Sequence, residues 1–274
     1  MKPSGFNSYF TERLQLIKIN TINTYQIELA YFSQRWASLL STLTFTLSYI
    51  LLINIVYNNV HFIASYSKND SLFLSVVGQI NYYIMWTWGT TNIQNLITFV
   101  NRGDLDLILI KPLPTLFYIT FRRIGLVGFL TQGLPTLILL AAFVNWSEIY
   151  VAPLNLLLGI IVFICGQIAL NSFQFMFAIP VFWQGESTEL FNVSMEFLGV
   201  PTQIPFEALY SGLKIVFTTI IPVAISTVIC TSVLLGKSDP RPLVLVSIFV
   251  AVVSSILKKY LWNVAMKQYT SASS

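Results

Sequence analysis

Long uncharged apolar runs alternate along this chain with short segments that hold most of its charge. A hydrocarbon core of roughly 30 Å takes about 20 residues of helix to cross, and several runs reach that length. The pattern predicts membrane helices over about Trp36 to Tyr57, Leu72 to Phe99, from beyond the Arg122–Arg123 pair to Val144, Leu154 to Trp183, and Leu243 to Leu257. The second is uncharged but polar for a span, with Gln79, Asn81, Asn92, Gln94 and Asn95 inside it. Between the fourth run and the last, Leu190 to Leu235 is apolar yet broken by Gly199, Pro201, Pro205, Gly212, Lys214 and Pro222. A proline costs a helix interior about 3 kcal/mol, and lipid offers the freed backbone groups no partner. This stretch therefore reads as one crossing, about Leu190 to Gly199, extended by a broken, partly re-entrant segment on the far side. A single kinked helix over Lys214 to Leu235, preceded by an interfacial helix, is the alternative, and both give six crossings.

Ahead of the first run, Phe10, Leu14, Ile17, Tyr25, Leu29 and Phe32 recur at helical spacing, with Glu12, Arg13, Lys18 and Asn20 between them. Such a helix, over about Phe6 to Phe32, lies in the membrane surface, although Ile19 and Ile22 fall off the stripe. The expected fold is an all-α membrane protein of one domain over residues 1–274. It comprises an interfacial segment at 1–35, a six-helix bundle at 36–265 and a polar tail at 266–274.

Composition agrees. Of the 274 residues 55% are hydrophobic and only 9% charged, against about a quarter charged in soluble domains. Two cysteines, Cys165 and Cys230, both inside apolar runs, exclude a disulfide scaffold. The charges in the first 35 residues argue against a cleavable signal peptide. Cytoplasmic segments concentrate Lys and Arg. With the N-terminus inside, 11 of the 15 basic residues fall on inner segments, leaving Lys68, Lys237 and Arg241 outside and Lys214 in the broken stretch. Both termini are expected in the cytoplasm, with the chain in the cell membrane.

Site chemistry is sparse. One histidine, His61, in an expected outer loop cannot build a metal site or a catalytic triad with two buried cysteines. Gly185-Glu186-Ser187 lacks the glycine that would complete a nucleophile elbow. Gly236-Lys237-Ser238 lacks a phosphate-loop glycine, since Thr231 stands in its place. No enzyme, nucleotide site or nucleic-acid surface is indicated. Ion-coupled carriers place ionisable groups within their spans. The nearest candidates, Glu196 and Glu207, flank the broken stretch and read first as caps or surface anchors.

The informative segment runs from Asn101 to Pro114, between the second and third expected spans. Arg102 precedes a Gly103-Asp104 helix start, Asp104 and Asp106 lie in the first turn where carboxylates complement the helix dipole, and Lys111-Pro112 ends it. A short capped helix flat on the cytoplasmic face is a part that another protein can push. A plain interfacial anchor is the other reading.

Gly103-Asp104-Leu105-Asp106 followed by Leu109-Ile110-Lys111-Pro112 resembles the G-x-L-D…L-L-x-P signature of a bacterial branch of ATP-binding-cassette type 2 exporter permeases. Phe182-Trp183 is similar to the close of that family's fourth span. Phe197…Pro201…Ile204-Pro205…Ile221-Pro222-Val223-Ala224, ending in Leu234-Leu235-Gly236-Lys237, is similar to its proline-broken region, although Val200 and Ile204 replace the usual aromatic before each of the first two prolines. The resemblance implies a permease subunit without an ATPase of its own. Its partners would be a second permease, identical or related, and a nucleotide-binding ATPase subunit that binds ATP and Mg, with membrane lipid around them. It implies that Arg102, Gly103, Asp104, Asp106, Lys111 and Pro112 form the coupling element. Pro201 to Pro222, including Pro205 and Glu207, would lie near the exit.

Two other classes stand beside this one. A secondary carrier would need coupling groups at mid-membrane and usually two related halves. A lipid-acting intramembrane enzyme would need a polar catalytic cluster. Asn92 and Asn95 would face the path or a subunit interface, or merely join helices by hydrogen bonds. The sequence names no substrate.

Overall fold

A computed structural model describes residues 6–29, 35–111, 114–199 and 205–269. Pro112, Val200, Pro201, Ile204 and the last five residues lie outside them. Among the described residues every regular element is helical, and one isolated bridge joins Ile63 to Tyr66. The helices are α1 (Phe6–Leu29), α2 (Arg35–Asn59), α3 (68–102), α4 (Leu105–Leu109), α5 (Thr115–Phe121), α6 (126–143), α7 (Pro153–Ala178), α8 (Val181–Gln184), α9 (Thr188–Gly199), α10 (Ser211–Ile220), α11 (Pro222–Leu234) and α12 (Pro240–Gln268).

Four segments are long and apolar enough to cross a membrane: α2, Thr115–Phe143, Pro153–Gln184 and α12. The pair α10 and α11, bent by 85° at Ile221, makes a fifth if it counts as one span. The six expected spans are therefore not all of this kind. α3 is long enough, but the asparagines and glutamines along it take it out of the apolar class. α9 has 12 residues, or about 18 Å at 1.5 Å per residue, too short to cross alone. α1 is described as far as Leu29 and exposes Ile19, Ile22, Tyr25 and Ile27; the expected bound at Phe32 lies outside the described residues.

α3 starts on a capping box. The Ser67 hydroxyl accepts from the Asp70 N–H at 3.2 Å and the Asp70 carboxylate from the Ser67 N–H at 2.9 Å, which satisfies two of the open donors of the first turn. It ends at Gly103, whose φ of 76° is a left-handed helix terminator suited to glycine. Midway, Met85–Thr90 widens into a π turn, and α6 does the same at Phe129–Gly133. Such turns loosen the backbone ladder and often lie at working sites.

α7 is the hub. It packs on α12, α11, α9 and α3 and presents Leu157, Ile160, Ile164 and Ile168 outward at helical spacing, an arrangement that lipid satisfies. Its other face meets α11 through Gly166. A Cβ there would sit 2.5 Å from the Ser226 backbone nitrogen, so only glycine permits this approach. Val162, Ala169, Ala224, Val228, Ile229 and Val233 fill the seam.

Candidate functional site

The two ends of the bundle carry different chemistry. At one end, here the near end, α4 lies against α3, α7, α9 and α12. Leu105 and Ile108 are buried in a cluster with Val100, Ile119, Phe175, Phe191 and Trp262. Their burial is worth about 2 kcal/mol each and roots a five-residue helix that has no stability of its own. The opposite face of α4 is bare: Leu107 is 62% exposed and Ile110 is 79% exposed, among exposed Arg102, Asp104 and Lys111.

Two details differ from the sequence reading. Asp104 occupies the position before α4, but its side chain caps nothing. Gly103 ends the preceding helix rather than opening this one. The order of the segment comes from burial, not capping. Lys111 donates to the Tyr118 hydroxyl at 3.2 Å and lies 4.8 Å from that ring's centre. The Tyr269 hydroxyl is pushed up to about 12, first by burial and then by the Asp106 carboxylate. Pro112 is outside the described residues.

A polar layer crosses the bundle above this seat. Asn92 is buried and fully engaged. Its amide donates to the carbonyls of Trp88, Thr120 and Arg123 at 2.6, 3.1 and 2.7 Å, and its oxygen accepts from the Arg123 N–H at 2.9 Å. It thereby satisfies the backbone where α5 gives way to α6. The π turn of α3 assists: the Thr87 carbonyl accepts from the Gly125 N–H at 2.8 Å, and the Trp86 carbonyl from the Thr91 hydroxyl at 3.3 Å. Asn92 is therefore a staple between helices, while Asn95 is half-buried one turn nearer the end.

Lys258 is the residue that sequence reading missed. Counted as an inner-surface cation, it instead turns into the bundle and donates to Asn171 Oδ1 at 2.7 Å and the Thr120 hydroxyl at 3.3 Å, with its Nζ 4.9 Å from the Phe175 ring centre. A signal existed. Ser247, Ala251, Lys258, Trp262 and Ala265 fall on one face of α12, and the other four are buried. Thr90 to Gln174 at 3.2 Å and Gln167 to Asn81 at 2.5 Å continue the layer.

At the far end, Lys237 pairs with Asp70 at 2.9 Å and donates to the Ser65 carbonyl at 3.1 Å. Glu207 Oε1 accepts from the hydroxyls of Ser232 at 2.5 Å and Ser238 at 2.7 Å. Glu207 thus ties the chain entering α10 to the chain leaving α11, rather than capping a helix. Pro205 and Pro222 are buried. Pro222 adjoins the bend, where Val223 packs on Met85 and Leu170. Pro201 is outside the described residues.

Glu196 lies with Tyr49, Tyr82, Gln79 and Met195 along a cavity of about 460 Å³ between α2, α3, α6 and α9. Among the described residues no group of three His, Cys, Asp or Glu side chains could hold a metal ion.

The family model described as "ABC-2 family transporter protein" matches residues 43–273. Neither a curated protein nor a solved structure matches the chain.

Proposed function

The chain belongs to the ABC-2 transporter family, and we propose that it is the exporting permease subunit driven by a separate ATPase. It is a multi-pass membrane permease of an ABC transporter, a transport component that is not itself catalytic. The family generally associates with an ABC ATPase subunit. In this proposal α4 is the contact with that subunit, which binds the ATP and Mg. A second permease copy, identical or related, would complete the pathway.

The observation that carries this reading is the two-sidedness of α4. A helix rooted by Leu105 and Ile108 but offering Leu107 and Ile110 to solvent suits a handle for a partner. A push on it reaches Trp262 of α12 and Phe175 of α7 through one packed cluster, and packed clusters transmit displacement.

We read six crossings: α2, α3, Thr115–Phe143, Pro153–Gln184, one that includes α9 (about Leu190 to Gly199), and α12. Ser187 bonds the Ala178 carbonyl near the seat of α4, whereas Glu207 bonds Ser238 at the far end, which supports a change of ends between these two residues. α10 and α11 then form a re-entrant V on the outer side, with both termini and α4 in the cytoplasm. Lys258 favours one alternative, a carrier coupled to an ion gradient, because it supplies a titratable group among the spans.

The test is affinity capture of the tagged chain from its own cells, followed by reconstitution. Co-purification of an ATPase whose hydrolysis drives solute out of the cytoplasmic compartment is the expected result. Uphill transport by the chain alone on an ion gradient would replace this reading with the carrier.

A further inference from the structure

Beside the polar layer, at the near end, lies a second cavity of about 320 Å³ whose walls come from α1, α2, α3 and the start of α6. Among the described residues its charge is unbalanced, with Arg35 and Arg123 lining it against one carboxylate, that of Glu28. That carboxylate is already divided, with one oxygen 3.7 Å from the Arg35 guanidinium and the other accepting from the Val127 N–H at 3.2 Å. Among the described residues, Arg35 Nε is buried with no acceptor, and the Trp86 indole N–H, beside the Tyr82 hydroxyl, completes no well-formed hydrogen bond either. Buried donors without acceptors are rare and call for an explanation.

The wall is shaped around this charge. A Cβ on Gly125 would sit 2.8 Å from Glu28 Oε1, and one on Gly128 would sit 3.3 Å from Arg35 Nη1. The Glu28–Arg35 pair therefore rests on backbone where side chains would displace it. The lining also holds the aromatic rings of Tyr82, Tyr83 and Phe129, with the polar Thr87, Thr91 and Gln132 among them. Tyr82, Tyr83 and Gln132 also line the 460 Å³ cavity above, so the two spaces adjoin.

We infer that this cavity binds the phosphate head of an amphipathic molecule, with Arg35, Arg123 and Trp86 as the donors and the Tyr82–Tyr83 wall flanking the body of the ligand. Two guanidiniums and an indole N–H match a phosphate's acceptor oxygens, since Arg recognises phosphate through paired N–H bonds. An adjoining chamber among membrane helices, with Phe45, Tyr49, Leu140 and Met195 along it, suits an amphiphile better than a free inorganic anion. Such binding is independent of the direction in which the permease works.

The full chain, purified in neutral detergent, is titrated separately with phosphatidylglycerol, phosphatidylcholine and inorganic phosphate, and retained ligand is counted by native mass spectrometry. Phosphatidylglycerol should be retained in preference to phosphatidylcholine. Arg35→Gln with Arg123→Gln should weaken its retention about tenfold or more, while Lys259→Gln, an exposed cation elsewhere, leaves it unchanged. Because Arg35 also holds Glu28, Trp86→Phe keeps the fold-bearing contacts and removes one donor, with a loss of about threefold or more. Equal retention of both lipids, or undiminished retention in both the double variant and Trp86→Phe, would overturn the inference. Inorganic phosphate displacing phosphatidylglycerol at equal concentration would overturn the amphiphile and assign the site to a free anion.

Discussion

The Lys258 ammonium donates to the Asn171 carboxamide oxygen at 2.7 Å, joining α12 to α7 inside the bundle. Its hydrogen-bond acceptors there are a carboxamide and a hydroxyl, not a carboxylate. A buried cation held by neutral dipoles is stable only while those dipoles remain, and removing one member of such a set costs more than removing the charge. Asn171→Leu should therefore destabilise the protein by about 3 kcal/mol, whereas Lys258→Met should stay within about 1 kcal/mol of the parent. The double variant should recover most of the loss. Thermal unfolding of the three proteins in one detergent checks the order, and equal losses from the two single variants would contradict it.

Asn92 serves the α5–α6 junction through three hydrogen bonds. Asn92→Leu leaves two carbonyls and one N–H of that junction without the partner it supplied, at about 1 to 3 kcal/mol for each group left unsatisfied. Faster protease cleavage between Arg122 and Gly125, together with a lower unfolding temperature, is expected. A parallel Asn95→Leu variant should change neither by a comparable amount.

α4 separates support from contact. Leu107→Ser with Ile110→Ser removes exposed apolar surface only, so the chain should insert and unfold as the parent does while capture of the ATPase partner falls about tenfold or more. Asp104→Lys with Asp106→Lys should keep insertion and uncouple hydrolysis from transport. Full transport by either double variant would remove α4 from the coupling role.

Gly166 lets α7 meet the backbone of α11 at Ser226. Gly166→Ala should force the two helices apart at about 1 to 3 kcal/mol. Gly212→Ala, whose nearest neighbours would be Tyr210 ring atoms at 3.8 Å, is the matched control and should be close to neutral by the same unfolding measurement.

Tyr269 gives a pH dependence. Its folded hydroxyl is raised to about 12 from an ordinary 10.0, so the native state holds the proton in a range where the unfolded state has released it. The stability it contributes is present below pH 10 and is lost as the pH rises from 10 towards 12. Tyr269→Phe should flatten that part of the stability profile relative to the parent. An unchanged slope would show that burial does not hold the proton on this hydroxyl.

Apolar run length was enough to find α2, α7 and α12, because a helix in lipid needs continuity more than specific neighbours. The prolines at 205 and 222 likewise marked the broken segment, since backbone geometry at proline is local. α3 was harder. Its asparagines and glutamines are ambiguous in sequence between path and packing, and Asn92 is decided by the carbonyls of Thr120 and Arg123, some thirty positions away. Lys258 was misplaced for a related reason. Beside Lys259 at the end of an apolar run it reads as a surface pair, and only the phase of α12 against Asn171 separates the two. Burial of Leu105 and Ile108 could be read from their apolar character, but the exposure of Leu107 and Ile110 depended on which side of α4 the bundle occupies.

The π turn at Met85–Thr90 and the interruption at 122–125 are each flaws in a helix, yet they lie side by side and fit together. The widened turn holds carbonyl oxygens that a regular ladder would have occupied, and the interruption brings up the Gly125 N–H that needs one. A π turn is commonly one residue more than an α-helix would use. Deleting a single residue within 85–90 would thus tighten α3 into an ordinary helix with both halves still facing as they do, and would strand the interruption beside it. The two irregularities persist as a matched set, and evolution or engineering can repair neither by itself.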